Sequence, residues 1–229
     1  MRNKYNRLFK EEQNEGHFWP SFTDLLTTIL LCFILIFISM MIIKSLQIEE
    51  MKRTIDQIMG VRAKLVSDLK GEFSESDLGI EVDEKTGAII FNTEILFEYS
   101  KSDLKPASLD FLDEFVPRYL DTLLDSGYED YIAEIIIEGH TDQNGSYLYN
   151  LELAQDRAYS VAEYVLSDQF PYQHIQEHVK EKLTVNSKSY TDFRTDESGK
   201  YSAAASRRVE FKFRLKDEEI LEKTREILE

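Results

Sequence analysis

The chain has one cysteine and lacks the residue patterns of common catalytic sites. Because Cys32 is alone among 229 residues, an intrachain disulfide and a cysteine-based metal site are excluded. The sequence contains no nucleophile–base pair, phosphate-binding glycine loop or zinc-ligand spacing. We therefore predict a protein that is not an enzyme and that carries no cofactor and no metal.

The chain also lacks an excess of positive charge. Its net charge is −16. The first 43 residues hold four basic and four acidic residues, so residues 44–229 carry the whole net negative charge. Such a surface repels nucleic acids and anionic lipid headgroups. We exclude nucleic acid as a partner.

One long charge-free run lies near the N-terminus, from Leu25 to Ile43. At about 1.5 Å per residue, this run nearly spans a hydrocarbon core of ~30 Å. It is longer than the apolar core of a signal peptide, and no small-residue cleavage site follows it. We predict an uncleaved transmembrane helix over residues 18–44, after a tail at 1–17. Basic residues lie on both sides of the span, so charge does not fix its orientation.

Asp24 stands at the head of this run. A carboxylate within a membrane segment is costly and usually marks an ion or proton path. Alternatively, Asp24 lies among the lipid headgroups or acts only as a first-turn acid of the helix. Thr23, Thr27 and Thr28 offer oxygens near it, as a sodium site would need. Since threonines are also common where helices meet, we expect the ion to be a proton rather than sodium.

A second apolar pattern follows the span, over residues 45–79. Its spacing of three and four residues, with Arg62 in one position, predicts a helix that ends in a polar hinge from Gly71 to Gly79. The helix could pair with that of a second copy, or it could lie on its own domain. The apolar positions are Ile48, Met51, Ile55, Ile58, Leu65 and Leu69.

The rest of the chain, residues 80–229, predicts a globular α+β domain. Strands that alternate with helices indicate helices packed on one face of a mixed sheet. We expect strands at 80–82, 88–91, 132–138, 183–190 and 209–215, and an extended piece at 96–97. We expect helices from Pro106 to near Gly127, at 151–166 and at 217–228.

A motif in this domain resembles a known family. Residues 137–145 read Ile-Glu-Gly-His-Thr-Asp-Gln-Asn-Gly, and Asn150 and Arg157-Ala158 follow. This spacing resembles the OmpA-like peptidoglycan-binding domain, over residues 80–215. Further agreement lies at 96–99, 104–106 and 207–210. The resemblance implies an α/β sandwich that binds peptidoglycan.

The resemblance also implies which residues bind. Asp142 and Arg157 would hold the diaminopimelate residue of a stem peptide, since that ligand needs one fixed anion and one fixed cation. The alternative is a structural salt bridge between these two residues.

Four further motif residues have less specific expectations. Asn150 would support the loop or the ligand, and Arg208 would lie near the site. Thr141 is a candidate binding residue that could equally fix the loop. His140 is expected to fix the loop rather than to bind a metal.

The N-terminal segment carries a second resemblance. Residues 18–27 read Phe-Trp-Pro-Ser-Phe-Thr-Asp-Leu-Leu-Thr, which resembles the start of the span in MotB-type stator subunits. In that family two B subunits form a homodimer inside a ring of five A subunits. The resemblance implies a bacterial inner-membrane protein with a cytoplasmic N-terminus, a periplasmic domain that grips peptidoglycan, and ions carried by Asp24.

The layout favours one branch of this group. The nearly neutral tail, the short hinge and the acidic domain resemble the ZorB subunits of Zorya anti-phage defence systems, which act with ZorA-like membrane subunits. The alternatives are a flagellar MotB-type stator subunit and a membrane-to-peptidoglycan tether that conducts no ion.

Overall fold

The computed structural model describes residues 18–73, 78–125, 127–196 and 198–216. The tail at 1–17 and the helix expected at 217–228 lie outside the described residues. The chain divides into two compact units, of which one ends at Asp56 and the other begins at Gln57. The second unit thus begins within the segment that the sequence assigns to the juxtamembrane helix.

The first unit is dominated by helix α1, which runs from Phe18 to Phe73 and continues into the second unit. Every side chain from Leu25 to Ile43 is exposed. A helix that is apolar on all sides is unfavourable in water and is stable when it is surrounded by other apolar groups, such as the acyl chains of a membrane. Among the described residues, this is the one helix long and apolar enough to cross a membrane.

In the second unit, the C-terminal end of α1 packs on the globular domain. Leu65 and Leu69 are fully buried and Phe73 nearly so. Arg118 anchors this end, because its Nε donates to the Glu72 carboxylate at 2.6 Å and its Nη2 to the Glu72 carbonyl at 2.7 Å. For this part of the helix, packing on its own domain is the arrangement in the structure.

In the described part of the second unit, five strands form the sheet. Their order is β1-β2-β5-β3-β4. The β3–β4 pair is parallel and the other three pairs are antiparallel. The mixed sheet predicted from the sequence is confirmed. The strands are β1 (Glu81–Val82), β2 (Ile89–Asn92), β3 (Ile132–Gly139), β4 (Leu183–Ser187) and β5 (Arg208–Leu215).

Within the described residues, five α-helices accompany the sheet: α2 (Thr93–Leu96), α3 (Pro106–Leu123), α4 (Tyr147–Val165), α5 (Gln173–Lys180) and α6 (Ala203–Ser206). Helix α4 begins four residues earlier than expected, because the Ser146 hydroxyl accepts a hydrogen bond from the Tyr149 N–H at 3.2 Å and caps the helix. Of the extended piece expected at 96–97, Leu96 is instead the last residue of α2, whereas Phe97 is extended and forms a bridge with Leu104.

The two faces of the sheet differ sharply in polarity. Alternation along β5 puts Phe211 and its apolar partners on one face and charged residues on the other. Helix α3 covers the apolar face, where the Phe211 ring lies 4.9 Å from Phe115 and 5.6 Å from Tyr119. The opposite face carries ion pairs such as Arg214 with Glu134, at 2.9 Å.

Candidate functional site

The loop after β3 brings the motif residues to the end of the sheet. A Cβ on Gly139 would lie 2.1 Å from the Ala154 carbonyl oxygen, so only glycine lets β3 approach α4 so closely. Gly145 has a φ of +99°, which also favours glycine. Between them, Asp142 caps the turn by accepting the Asn144 N–H at 2.9 Å.

Asp142 is held by an arginine other than the one expected. Arg207 Nη1 lies 2.9 Å from Asp142 Oδ2, and Arg207 Nη2 lies 2.8 Å from Glu94 Oε1. Burial alone would raise the pKa of Asp142, but hydrogen bonds from Asn144 and Arg207 outweigh it and hold the pKa below its usual value. The bonds to Glu94 and Asp142 raise the pKa of Arg207. The three charged groups therefore form one chain across the site.

Arg157 is buried on α4 and has no carboxylate within ion-pair distance among the described residues. Its Nε donates to the Lys101 carbonyl at 2.9 Å, and its guanidinium lies 5.4 Å from the centre of the Phe97 ring. Burial lowers the pKa of Arg157. The structural salt bridge to Asp142, considered from the sequence, is not formed. Burying a guanidinium group without a counter-ion costs free energy, and a bound anion would offset that cost. The surroundings of Arg157 are therefore those expected of an anion-binding site.

Arg157 and Arg207 line one pocket of about 240 Å³ at this end of the sheet. It presents two guanidinium groups, one ammonium group, two carboxylates and aromatic rings. A small zwitterion with several charged groups fits this chemistry. The other lining residues are Thr93, Glu94, Phe97, Glu98, Tyr99 and Lys105.

Arg208, which the sequence placed near the site, lies elsewhere. Its Nη2 is 2.7 Å from Asp192 Oδ2 and its Nε is 2.5 Å from Glu210 Oε1, on the polar face of the sheet. It is not part of the pocket lining, and Arg207 is. Sequence reasoning missed Arg207 because the resemblance matched the family arginine to its neighbour, Arg208.

Thr141 lies in the loop, and Asn150 lies in the first turn of α4. Asn150 Nδ2 donates to the Asn144 carbonyl at 2.8 Å, so this side chain supports the loop. The Thr141 N–H donates to the Ser189 carbonyl at 2.9 Å. The Thr141 hydroxyl is buried and has no hydrogen-bond partner among the described residues. A contact of either residue with a ligand stays a prediction.

His140 is fully buried among charged groups on the polar face. Its Nε2 lies 3.1 Å from Glu138 and 3.8 Å from Glu210. Lys212 forms ion pairs with both of these carboxylates. Burial would raise the pKa of Glu138, but its contacts with the His140 ring and the Lys212 ammonium group lower it to about 2. Glu138, His140 and Glu210 are close enough to hold a metal, but the Lys212 ammonium already fills the cation position, and we assign no metal here.

In the first unit, the threonines around Asp24 bond to the helix backbone. The hydroxyls of Thr27 and Thr28 donate to the Asp24 carbonyl at 2.9 and 2.8 Å, and that of Thr23 donates to the Trp19 carbonyl at 2.8 Å. The Asp24 side chain is exposed on the helix. Because each hydroxyl hydrogen is donated to a backbone carbonyl, only the lone pairs of these oxygens are available to coordinate an ion. Roles for these four residues in ion transport stay predictions.

The fold and the pocket define a class of protein. Residues 96–207 match the OmpA family, and the helices and mixed sheet of the second unit fit the OmpA-like sandwich expected from the sequence. The chain thus joins an apolar helix of membrane length to an OmpA-family domain.

The relatives that match nearly the whole chain are more specific. The Zorya protein ZorB of Escherichia coli strain Crooks is 31% identical over 217 residues, which are 90% of this chain and 91% of the relative. A second Zorya protein ZorB, from E. coli O139:H28, is 26% identical over 91% of this chain and 85% of its own length. The chain belongs to the ZorB family, which confirms the resemblance seen in its sequence.

A crystal structure of the periplasmic domain of Helicobacter pylori MotB is also similar. It is 20% identical and has a TM-score of 0.46, over 67% of this chain and 93% of that one.

Proposed function

We propose that this protein is the wall-anchored B subunit of an ion-driven rotary motor that serves in anti-phage defence. One observation carries the proposal: a single ZorB-family chain joins a membrane-length helix headed by Asp24 to a domain whose buried Arg157 has no counter-ion among the described residues. Two copies would form a homodimer inside a ring of five ZorA-like subunits in the inner membrane. The N-terminus would be cytoplasmic and the OmpA-family domain periplasmic.

The pocket supports peptidoglycan as the ligand of the domain. Diaminopimelate in a stem peptide offers carboxylates and an ammonium group. A ligand carboxylate would supply the counter-ion that Arg157 lacks, and the planar guanidinium can bind it through two hydrogen bonds. The ammonium group would lie near Asp142, which Arg207 holds in place from the other side.

The first unit supports ion transport. A charge that crosses the membrane gains about 2.3 kcal/mol per 100 mV, and Asp24 is the one acidic residue in residues 18–44 of the sequence. Rotation against a partner ring produces torque only if one part of the machine is held still. A domain that grips the wall would hold this subunit still while ions pass along Asp24. We favour protons as the ion.

The test of ion transport compares Asp24→Asn with Asp24→Glu in cells that carry the complete defence system. The plating efficiency of phage measures defence, and retention on purified sacculi measures wall binding. We expect Asp24→Asn to lose protection and Asp24→Glu to keep part of it, while both bind sacculi as the wild type does. If Asp24→Asn still protects cells and still binds the wall, the chain is a tether and the ion path does not exist.

The test of wall binding uses Arg157→Ala in the full-length, detergent-solubilised protein. Removing the buried guanidinium should abolish retention on purified sacculi. Arg53→Ala is the matched control, because Arg53 is exposed on α1 and pairs only with Glu49 among the described residues. Undiminished binding by Arg157→Ala, with a melting temperature like that of the control, would remove Arg157 from the site.

A further inference from the structure

Six side chains, five of them aromatic, form a partly exposed surface around the loop that carries Asp142. We name this surface the aromatic rim. Leu148 is 72% exposed, Phe193 49% and Tyr149 46%. Apolar side chains that are exposed together, rather than singly, mark interaction sites on soluble domains. The rim consists of Tyr147, Leu148, Tyr149, Tyr190, Phe193 and Tyr201.

Four rings of the aromatic rim contact one another in two pairs. Tyr147 and Tyr190 meet edge to face with their centroids 5.7 Å apart, and Phe193 and Tyr201 do so at 5.9 Å. The Ser189 hydroxyl donates to the Tyr147 carbonyl at 3.0 Å, which ties the two chain segments together. Rings that are already ordered lose little conformational entropy when a ligand binds.

The aromatic rim is continuous with the pocket. The Gln143 N–H, one residue beyond Asp142, donates to the Tyr201 hydroxyl at 2.9 Å. Tyr147 and Arg157 lie on the same helix, α4, so the first rim residue is about 15 Å along the helix axis from the pocket arginine. A ligand that extends from the pocket towards the N-terminal end of α4 would therefore reach the rim.

Peptidoglycan has the dimensions that this arrangement requires. Two amino acids separate diaminopimelate from the sugar that carries the stem peptide. At about 3.3–3.6 Å per residue, that sugar lies about 10–12 Å from diaminopimelate. A stem peptide that is held in the pocket and extends towards the N-terminal end of α4 would thus bring its glycan strand close to the rim.

The chemistry of the aromatic rim also fits a sugar. Aromatic rings have electron-rich faces, and the flat faces of pyranose rings present weakly positive C–H groups. None of the six side chains is charged, although the chain as a whole carries −16. This surface therefore cannot form ion pairs with a ligand, but its rings can stack on the sugars of a neutral polymer.

We propose that the aromatic rim binds the N-acetylated glycan strand of peptidoglycan by stacking on its sugar rings. This inference rests on the proposed wall-binding function and adds a second subsite to the stem-peptide pocket. The domain would then hold the polymer at two connected points. Two connected subsites bind an intact polymer more tightly than either fragment alone.

The experiment measures binding of the full-length, detergent-solubilised protein to three probes: intact sacculi, a soluble diaminopimelate-containing tripeptide, and peptide-free glycan strands. The variants are Tyr147→Ala and Phe193→Ala. Each should bind sacculi and glycan strands about three- to tenfold more weakly, while binding of the tripeptide is unchanged. Tyr159→Ala is the matched control, because Tyr159 is exposed on the same helix but outside the rim, and it should bind all three probes as the wild type does.

The outcomes separate this inference from the function on which it rests. If the variants bind sacculi and glycan strands like the wild type, the rim is not a glycan site and the stem-peptide pocket is unaffected. The same conclusion follows if the wild type binds the tripeptide but no glycan strand. If the wild type binds neither sacculi nor tripeptide, the proposed wall binding itself is wrong. Phe193→Tyr keeps an aromatic ring and should restore binding, which separates stacking from loss of fold.

Discussion

Replacing Leu69 by alanine tests whether the end of α1 is part of the domain. Leu69 is fully buried in the core cluster, together with Leu65 and Phe73. The substitution removes three carbon atoms, which is worth about 2.4 kcal/mol at ~0.8 kcal/mol per buried methylene. The cavity left behind raises the expected loss of unfolding free energy to about 3–4 kcal/mol.

Met51→Ala is the matched control. Met51 belongs to the same apolar pattern of α1 but is 41% exposed, so its removal should change the unfolding free energy by less than about 0.5 kcal/mol. Both variants are compared with the wild type by urea titration of the full-length protein in detergent. Pulse proteolysis then reports the fraction of unfolded domain at each urea concentration.

Two results would contradict this reasoning. A loss below about 1 kcal/mol for Leu69→Ala would mean that α1 is not packed on the domain in solution. A loss for Met51→Ala as large as that for Leu69→Ala would mean that the apolar pattern is buried along its whole length. Pairing with a second helix would then be the better interpretation of the pattern.

Three further predictions concern the charged and aromatic residues of the domain. Arg207→Ala frees Asp142 from its ion pair and should weaken binding to sacculi at least about tenfold, as expected for a charge-assisted hydrogen bond; equal binding would exclude Arg207 from the site. The pKa of Glu138, about 2, is below its ordinary value of 4.5, so its stabilising effect is complete above pH 4.5 and is lost as the pH falls towards 2. Denaturant titrations should therefore show Glu138→Gln less stable than the wild type at pH 6, with a difference that shrinks as the pH approaches 2; a constant difference would contradict this. The Tyr119 hydroxyl is buried with no hydrogen-bond partner among the described residues, so Tyr119→Phe should stabilise the domain by about 1 kcal/mol in the same titration, and a destabilised variant would indicate a hidden partner.

The sheet was predictable because its strands carry strong, simple patterns. Phe211 and Phe213 alternate with charged residues along β5, and this period of two indicates a β-strand with one buried face. Helix α5 was missed, because only Ile175, Gln176 and Val179 of its eight residues are buried. So short an apolar face gives no clear period.

The apolar pattern of α1 shows a second limit of sequence reasoning. The spacing of Leu65 and Leu69 tells which side of the helix is apolar but does not tell what covers it. A partner helix and the domain of the same chain would both select leucine at these positions. Only the three-dimensional contacts show that the domain covers this end.

The site was predicted in part for a similar reason. The motif placed Asp142 and Arg157 at the same end of the sheet, and both lie there. The direction of a side chain just outside a strand depends on local backbone geometry, which the sequence does not report. The resemblance implied Arg208 as the arginine near the site, and its neighbour Arg207 lines the pocket instead.

The position of β5 in the sheet has a consequence for how the protein is made. β5 pairs with both β2 and β3, so it joins the two halves of the sheet, yet it is the last strand along the described chain. The sheet cannot form completely until the chain up to Leu215 is available, because the edges of β2 and β3 that pair with β5 are unpaired before then. If the domain is exported across the membrane, it would cross as an open chain and fold only on arrival. A product cut short before Arg208 would expose both edges and be a ready target for proteolysis.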